Sequence, residues 1–173
     1  MSENLNKLIV DKLQAQFPKS IEGTNEFPAR PAGGRGDLTV QIAKADIVRV
    51  CEFLKTDPDL AFSMVIDICG VDMYTPEDRF QVIYNLYSLK NKSYVRLKVP
   101  VDEKDCVVDT VTGVWSGANW HERETYDMFG ITFKGHPDLR RMYMPEEFEY
   151  FPLRKDFPLM GIPDSIPLPS KKK

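Results

Sequence analysis

Seven of the chain's 13 prolines, at 137, 145, 152, 158, 163, 167 and 169, fall after Gly130. Proline lacks an amide hydrogen and fixes φ, so a stretch this rich in it sustains neither a helix nor a central strand. The reading is an extended arm over residues 131–173, with the regular fold built by residues 1–130.

Within the arm, Phe148, Tyr150, Phe151 and Phe157 stand among Arg140, Arg141, Arg154 and Lys155 with no helical or alternating period. An extended arm has too little surface of its own to bury these rings, so they pack on the domain or on another chain. Arginine and aromatic side chains with an acidic interleave are the composition of protein interfaces. Between positions 122 and 156, acidic residues outnumber basic ones by eight to six, which repels phosphates and argues against single-stranded nucleic acid. The whole chain agrees, since 23 Lys+Arg against 26 Asp+Glu give a net charge of −3. An ordinary basic nucleic-acid binder is excluded.

With 173 residues, 42% of them hydrophobic, the chain buries roughly 70% of its unfolded surface in a single core. In residues 3–17 the apolar positions Leu5, Leu8, Ile9, Leu13 and Phe17 share one helical face, and Pro18 ends the run. Residues 27–36, with Pro28, Pro31, Gly33, Gly34 and Gly36, read as a loop, and Gly34-Arg35-Gly36 precedes a strand-like run rather than a helix, so it is no phosphate cradle. Leu38-Thr39-Val40-Gln41-Ile42 is that strand. A second helix begins at Asp46 with Ile47, Val50, Cys51 and Leu54 on one side and stops before Asp57-Pro58. Residues 62–68, 80–89 and 94–99 read as strands, the last two joined as a hairpin through Lys90-Asn91-Lys92-Ser93. Asn119 and Glu122 have capping-box spacing before a charged helix over 120–129, and Gly130 suits a left-handed residue after its last turn. The order predicts an α+β fold: a single domain with a mixed or antiparallel sheet flanked by helices, then the proline-rich arm.

Chemistry is hard to place. Cys51, Cys69 and Cys106 form no C-x-x-C pair, which disfavours a self-contained iron–sulfur or zinc site, and they read as small buried hydrophobes. The start Met1-Ser2-Glu3-Asn4-Leu5 has neither the basic nor the apolar stretch of a secretory signal, so a cytoplasmic bacterial chain is expected. No apolar run approaches the roughly 20 residues of a membrane span, so any membrane link runs through a partner. His121, Glu122, Arg123, Glu124 and Asp127 crowd one short helix, and the i,i+3 pairs His121/Glu124 and Glu124/Asp127 share a face on which a metal or an acid/base pair could sit. Arg123 and Asp127, at i,i+4, instead suggest that part of the cluster neutralises itself. The terminal Ser170-Lys171-Lys172-Lys173 reads as a solubilising end.

Residues 120–131, Trp-His-Glu-Arg-Glu-Thr-Tyr-Asp-Met-Phe-Gly-Ile, followed by His136-Pro137-Asp138-Leu139-Arg140-Arg141, closely resemble the signature of the C-type, or 30 kDa-type, subunit of proton-pumping NADH:quinone oxidoreductase, respiratory complex I. Pro152-Leu153-Arg154-Lys155-Asp156-Phe157-Pro158 resembles that family's closing motif, and Gly70-Val71-Asp72 is similar upstream. The resemblance implies an accessory subunit of the hydrophilic arm on the cytoplasmic side of the bacterial inner membrane, a peripheral protein whose C-terminal arm embraces the hydrogenase-like D-type subunit. It further implies no flavin, cluster or quinone ligand in this chain, with FMN, iron–sulfur clusters and quinone on other subunits. Glu122, Arg123, Glu124, Asp127, Gly130, His136, Pro137, Asp138, Leu139, Arg140, Arg141, Arg154, Lys155 and Asp156 then become structural and interfacial residues. One departure stands out: relatives commonly carry glycine two residues before the proline of the closing motif, where this chain has Tyr150. The chain also ends shortly after that motif, as a separate subunit would and a fusion with the hydrogenase-like subunit would not.

Two other readings fit the same residues. The equivalent subunit of a membrane-bound hydrogenase, or of an oxidoreductase fed by ferredoxin or coenzyme F420, shares the resemblance. A free-standing hydrolase would use Glu124 and Asp127 as its acid/base pair, and a peptide-binding adaptor would share the interface.

Overall fold

The computed structural model describes residues 2–27 and 37–162. Of the loop read over 27–36, Phe27 instead ends β1 and residues 28–36 lie outside the described residues, as does the lysine end at 170–173. The order is α1 (Ser2–Gln16), β1 (Ile21–Phe27), β2 (Asp37–Ile42), a short 3-10 turn (Lys44–Asp46), α2 (Ile47–Thr56), β3 (Met64–Asp72), β4 (Phe80–Ser88), β5 (Ser93–Val101), β6 (Val107–Asp109), α3 (Ala118–Phe129) and β7 (Thr132–Lys134).

The main sheet has five strands in the order β1-β2-β5-β4-β3, and β2 with β5 is its one parallel pair. It is a mixed sheet flanked by helices, as the sequence predicts. The β4–β5 hairpin is in register from Phe80 opposite Val101 to Ser88 opposite Ser93. Alternation makes β5 one-sided: Val95, Leu97, Val99 and Val101 are buried, and each removes roughly 1.5–3 kcal/mol worth of apolar surface from water. Ile9 and Leu13 of α1, and Ile47, Val50, Cys51 and Leu54 of α2, close over this face in one core. β1 has no readable pattern, because Ile21-Glu22-Gly23-Thr24-Asn25-Glu26-Phe27 holds apolar side chains only at its ends. It is an edge strand, made by its ladder to β2.

β3 is the other end of the sheet, and α3 packs along it, with Thr125 Oγ1 donating to the Ile68 carbonyl at 3.3 Å. Gly70 makes this approach close: a Cβ there would lie 2.6 Å from the Phe129 ring. A two-stranded parallel pair, β6 with β7, carries the chain into and out of α3, and Ile131 and Phe133 join the main core.

Candidate functional site

α3 ends as predicted, with Gly130 at φ +76°, but it does not begin as predicted. Gly117 precedes its first turn and no side chain caps it. Glu122 does not reach back to Asn119; its carboxylate accepts the Val111 N–H at 2.8 Å and the Thr110 hydroxyl, in the loop beneath the helix.

Other charges of α3 turn outward to hold the arm. Asp127 is fully buried, and its Oδ2 accepts the N–H groups of Met142, Tyr143 and Met144 at 2.9, 2.7 and 3.0 Å. Its Oδ1 accepts Arg141 Nη1 at 2.8 Å. Burial alone would raise this carboxyl, but the three amides and the guanidinium outweigh it and hold the group below the usual carboxylate range. Arg141 is sandwiched in turn, its guanidinium carbon 5.2 Å from the Phe151 ring centre and 5.9 Å from that of Phe148. Arg123 does not neutralise Asp127. It donates to the carbonyls of Arg140 and Arg141 at 3.0 and 3.3 Å while stacking on Trp120, and so clamps the same turn from outside.

A second clamp holds the closing motif, and its centre, Arg79, belongs to no motif read in the sequence. Arg79 is 7% exposed and grips Asp72 with two donors, at 3.2 and 2.9 Å. The same guanidinium meets Glu103 at 2.6 Å and Asp156 at 2.9 Å. Asp72 Oδ2 also accepts the N–H of Lys155 at 2.8 Å, so the motif is fixed by the backbone of Lys155 and the side chain of Asp156 together. Arg154 donates to the Phe129 carbonyl at 2.6 Å and lies over Phe151 and Phe80, at 4.5 and 4.9 Å from the ring centres. Burial pushes the Asp72 carboxyl up, and Arg79 with the amides of Lys155 and Tyr74 brings it net below the usual range; Asp156 is lowered chiefly by Arg79. The sequence signal for Arg79 is its place one residue before the buried Phe80, which pairs with Asp72 across β3–β4.

Gly130 lies between the clamps: besides its left-handed φ, a Cβ there would meet the Phe151 ring at 2.6 Å and Arg154 Nη2 at 2.7 Å. Tyr150, at the position where the family resemblance leads one to expect glycine, is not among the positive-φ residues, so the closing motif forms here without a left-handed turn at that position. Phe148 is buried, stacked edge-on against Tyr150 with ring centres 5.6 Å apart. The rings of the arm therefore pack on the domain and on one another.

The other candidates disperse. Asp138 and Arg140 form an exposed ion pair at 2.7 Å, Leu139 packs on the core, and Pro137 is exposed. His121 lies 3.4 Å from Asp67 on β3, whereas His136 is bonded to the Asn119 carbonyl. Glu124 is half-buried within electrostatic reach of Cys69 on β3, whereas Asp127 lies under the arm, so the two carboxylates do not share a site. That removes the acid/base pair a hydrolase needs. Cys51 is buried, Cys69 and Cys106 are half-buried, and burial raises all three thiols, Cys69 to about 11. Among the described residues, no three His, Cys, Asp or Glu side chains are grouped to hold a metal ion, and no helix is long and apolar enough to cross a membrane.

Against known proteins, residues 40–163 match the family "Respiratory-chain NADH dehydrogenase, 30 Kd subunit". The chain is 47% identical over 167 residues to the C-type subunit of NADH-quinone oxidoreductase from Geotalea uraniireducens, covering 96% of this chain and 94% of that one. It is 59% identical over 131 residues to a C-type subunit of NADH-quinone oxidoreductase from Rhizobium meliloti, covering 76% and 71%. Among solved structures, a trypsin-resistant fragment of Nqo5 superimposes with a TM-score of 0.60 at 33% identity, covering 77% of this chain and 98% of the fragment. A chain of an archaeal membrane-bound sulfane sulfur reductase shares the fold, with a TM-score of 0.66 at 21% identity over 96% of this chain and 98% of that one.

Proposed function

The chain belongs to the 30 kDa subunit family of respiratory-chain NADH dehydrogenase, and from that premise we propose that it is a non-redox assembly subunit of the peripheral arm of proton-translocating NADH:quinone oxidoreductase. Its partner is the hydrogenase-like D-type subunit, met by the C-terminal arm together with neighbouring peripheral-arm subunits on the cytoplasmic face of the membrane. FMN, iron–sulfur clusters and quinone belong to other subunits, and this chain organises the ones that hold them.

One observation supports this reading above the others: the charged signature is spent inside the chain. Asp127, paired with half-buried Arg141, and the buried pair Asp72 and Arg79 are engaged in seating residues 140–156, which leaves no free acid/base pair among them. With the arm seated, Trp120, Tyr143, Tyr150 and Leu153 face solvent at 60, 59, 42 and 56% exposure. Tryptophan and tyrosine on a rigid support are what anchors of a permanent protein interface require. The test is affinity purification of the full chain from detergent-solubilised native membranes, with mass spectrometry of what accompanies it and an assay of NADH-dependent quinone reduction. Recovery with flavin and iron–sulfur subunits and that activity is the expected result; a solitary chain would overturn the proposal. Recovery with a hydrogenase or a ferredoxin-fed input module would replace NADH as the donor while keeping the assembly role.

A further inference from the structure

Glu122 differs from the buried aspartates of the two clamps because, among the described residues, no lysine or arginine pairs with it. Its side chain is wholly shielded from solvent, as is that of His136, whose Nε2 comes to 4.0 Å from Glu122 Oε2. Both ring nitrogens are taken by backbone groups rather than by Glu122: Nδ1 accepts the N–H of Asp138 at 3.0 Å, and Nε2 lies 3.2 Å from the Asn119 carbonyl oxygen. Facing the carboxyl are Cys51 from α2, with Glu52 beside it, and Tyr84 from β4; Asp109 of β6 adds negative charge to the same region. An ionised carboxylate buried without a counter-charge is costly. Burial accordingly pushes Glu122 up to about 7, with the hydrogen bonds from Thr110 and Val111 restraining the rise.

The carboxyl is also hydrogen-bonded through one half-buried threonine to a second. Thr110 Oγ1, its hydroxyl partner, lies 2.9 Å from Thr112 Oγ1, where either hydroxyl can donate, and both threonines are half-buried. Glu122, Thr110 and Thr112 thus form a hydrogen-bonded chain that leads from the interior toward solvent.

We propose that Glu122 is a buried proton-binding site, filled and emptied through the hydroxyls of Thr110 and Thr112. On loading, Thr112 Oγ1 takes a proton from solvent and passes its own hydroxyl hydrogen to Thr110 Oγ1. Thr110 in turn passes its hydrogen to Glu122 Oε2. Both threonines end as neutral hydroxyls turned the other way, the carboxylate has become a carboxylic acid, and unloading reverses each transfer. The ligand is the proton alone, and the site stands whether or not the assembly proposal holds.

The experiment is a pH titration of the full chain with glutamate side-chain carboxyls labelled with carbon-13 and read by NMR. One glutamate is expected to titrate near neutrality while the exposed ones titrate at about 4.3. Thr110→Val, which removes a donor to the charged form, should move that late midpoint upward by about one unit or more, and Thr110→Ser should restore it. Glu122→Gln should abolish it. If every glutamate titrates below about pH 5, or if the late titration ignores Thr110→Val, the proposal is wrong; the wild type and Thr110→Val decide this even if Glu122→Gln does not fold.

Discussion

The sheet with α1 and α2 is held by strand ladders and a shared core of buried apolar side chains, whereas residues 135–157 of the arm are seated largely by polar clamps centred on two aspartates. In the sheet, each of Val95, Leu97 and Val99 contributes one share among many. In the arm, Asp127 alone satisfies three amides and a guanidinium, and Asp72 joins Arg79 to Lys155. Distributed apolar burial tolerates the loss of a part; concentrated charge does not, because removing one partner strands the others without solvent. The seating of the arm thus rests on electrostatics, over a scaffold set by packing.

The sharpest way to break this contrast is Asp127→Ala, which leaves the Arg141 charge and three amides unsatisfied and should cost about 3–5 kcal/mol. Limited proteolysis should then cut residues 140–157 while circular dichroism of the sheet is retained. Leu97→Ala, a cavity worth about 2–5 kcal/mol, should do the reverse, lowering the melting temperature of the whole chain without exposing the arm first. Arg79→Met strands buried Asp72 and should cost about 3 kcal/mol, releasing the closing motif but leaving the Asp127 turn seated, as hydrogen exchange of the 142–144 amides would show. Gly130→Ala should cost about 1–3 kcal/mol, from a positive φ and from contact with Phe151, measured as a shift in the urea midpoint.

The smallest effect separates the carboxylates by pH. Asp72, Asp127 and Asp156 sit below their unfolded values, so their stabilisation is present above about pH 4 and is lost as pH falls through the folded pKa values. Glu122, raised to about 7, acts with the opposite sign: its contribution is complete below its unfolded value of about 4.3 and is lost as pH rises toward 7. The arm should detach first in acid, while the domain melts at lower temperature at pH 8 than at pH 6, by an amount that Glu122→Gln reduces.

The same contrast explains what is legible in the sequence. Periodicity records the elements that bury a face: the apolar positions of α2 and the alternation of β4 and β5 fall where the pattern puts them, and in the first helical pattern Ile9, Leu13 and Phe17 do so while Leu8 of the same pattern is exposed. β1 escapes because its strand character comes from its neighbour, and Glu122 mimics a capping box because spacing cannot tell a helix's own backbone from the loop beneath it. Asp127 is visible as a charge, but its three amide partners lie 15 to 17 residues away, and Lys155 lies 83 residues from Asp72. Contacts of that range are set by the tertiary fold and leave no local period to read.

The most direct measurement of the central claim compares Arg141→Ala with the wild type in native membranes, quantifying both assembled NADH:quinone oxidoreductase and its turnover per assembled complex. An assembly role in which the arm is seated by the Asp127–Arg141 clamp predicts less complex with unchanged turnover in what remains. A normal amount of complex with lowered turnover would contradict it and move this chain from scaffold to catalyst.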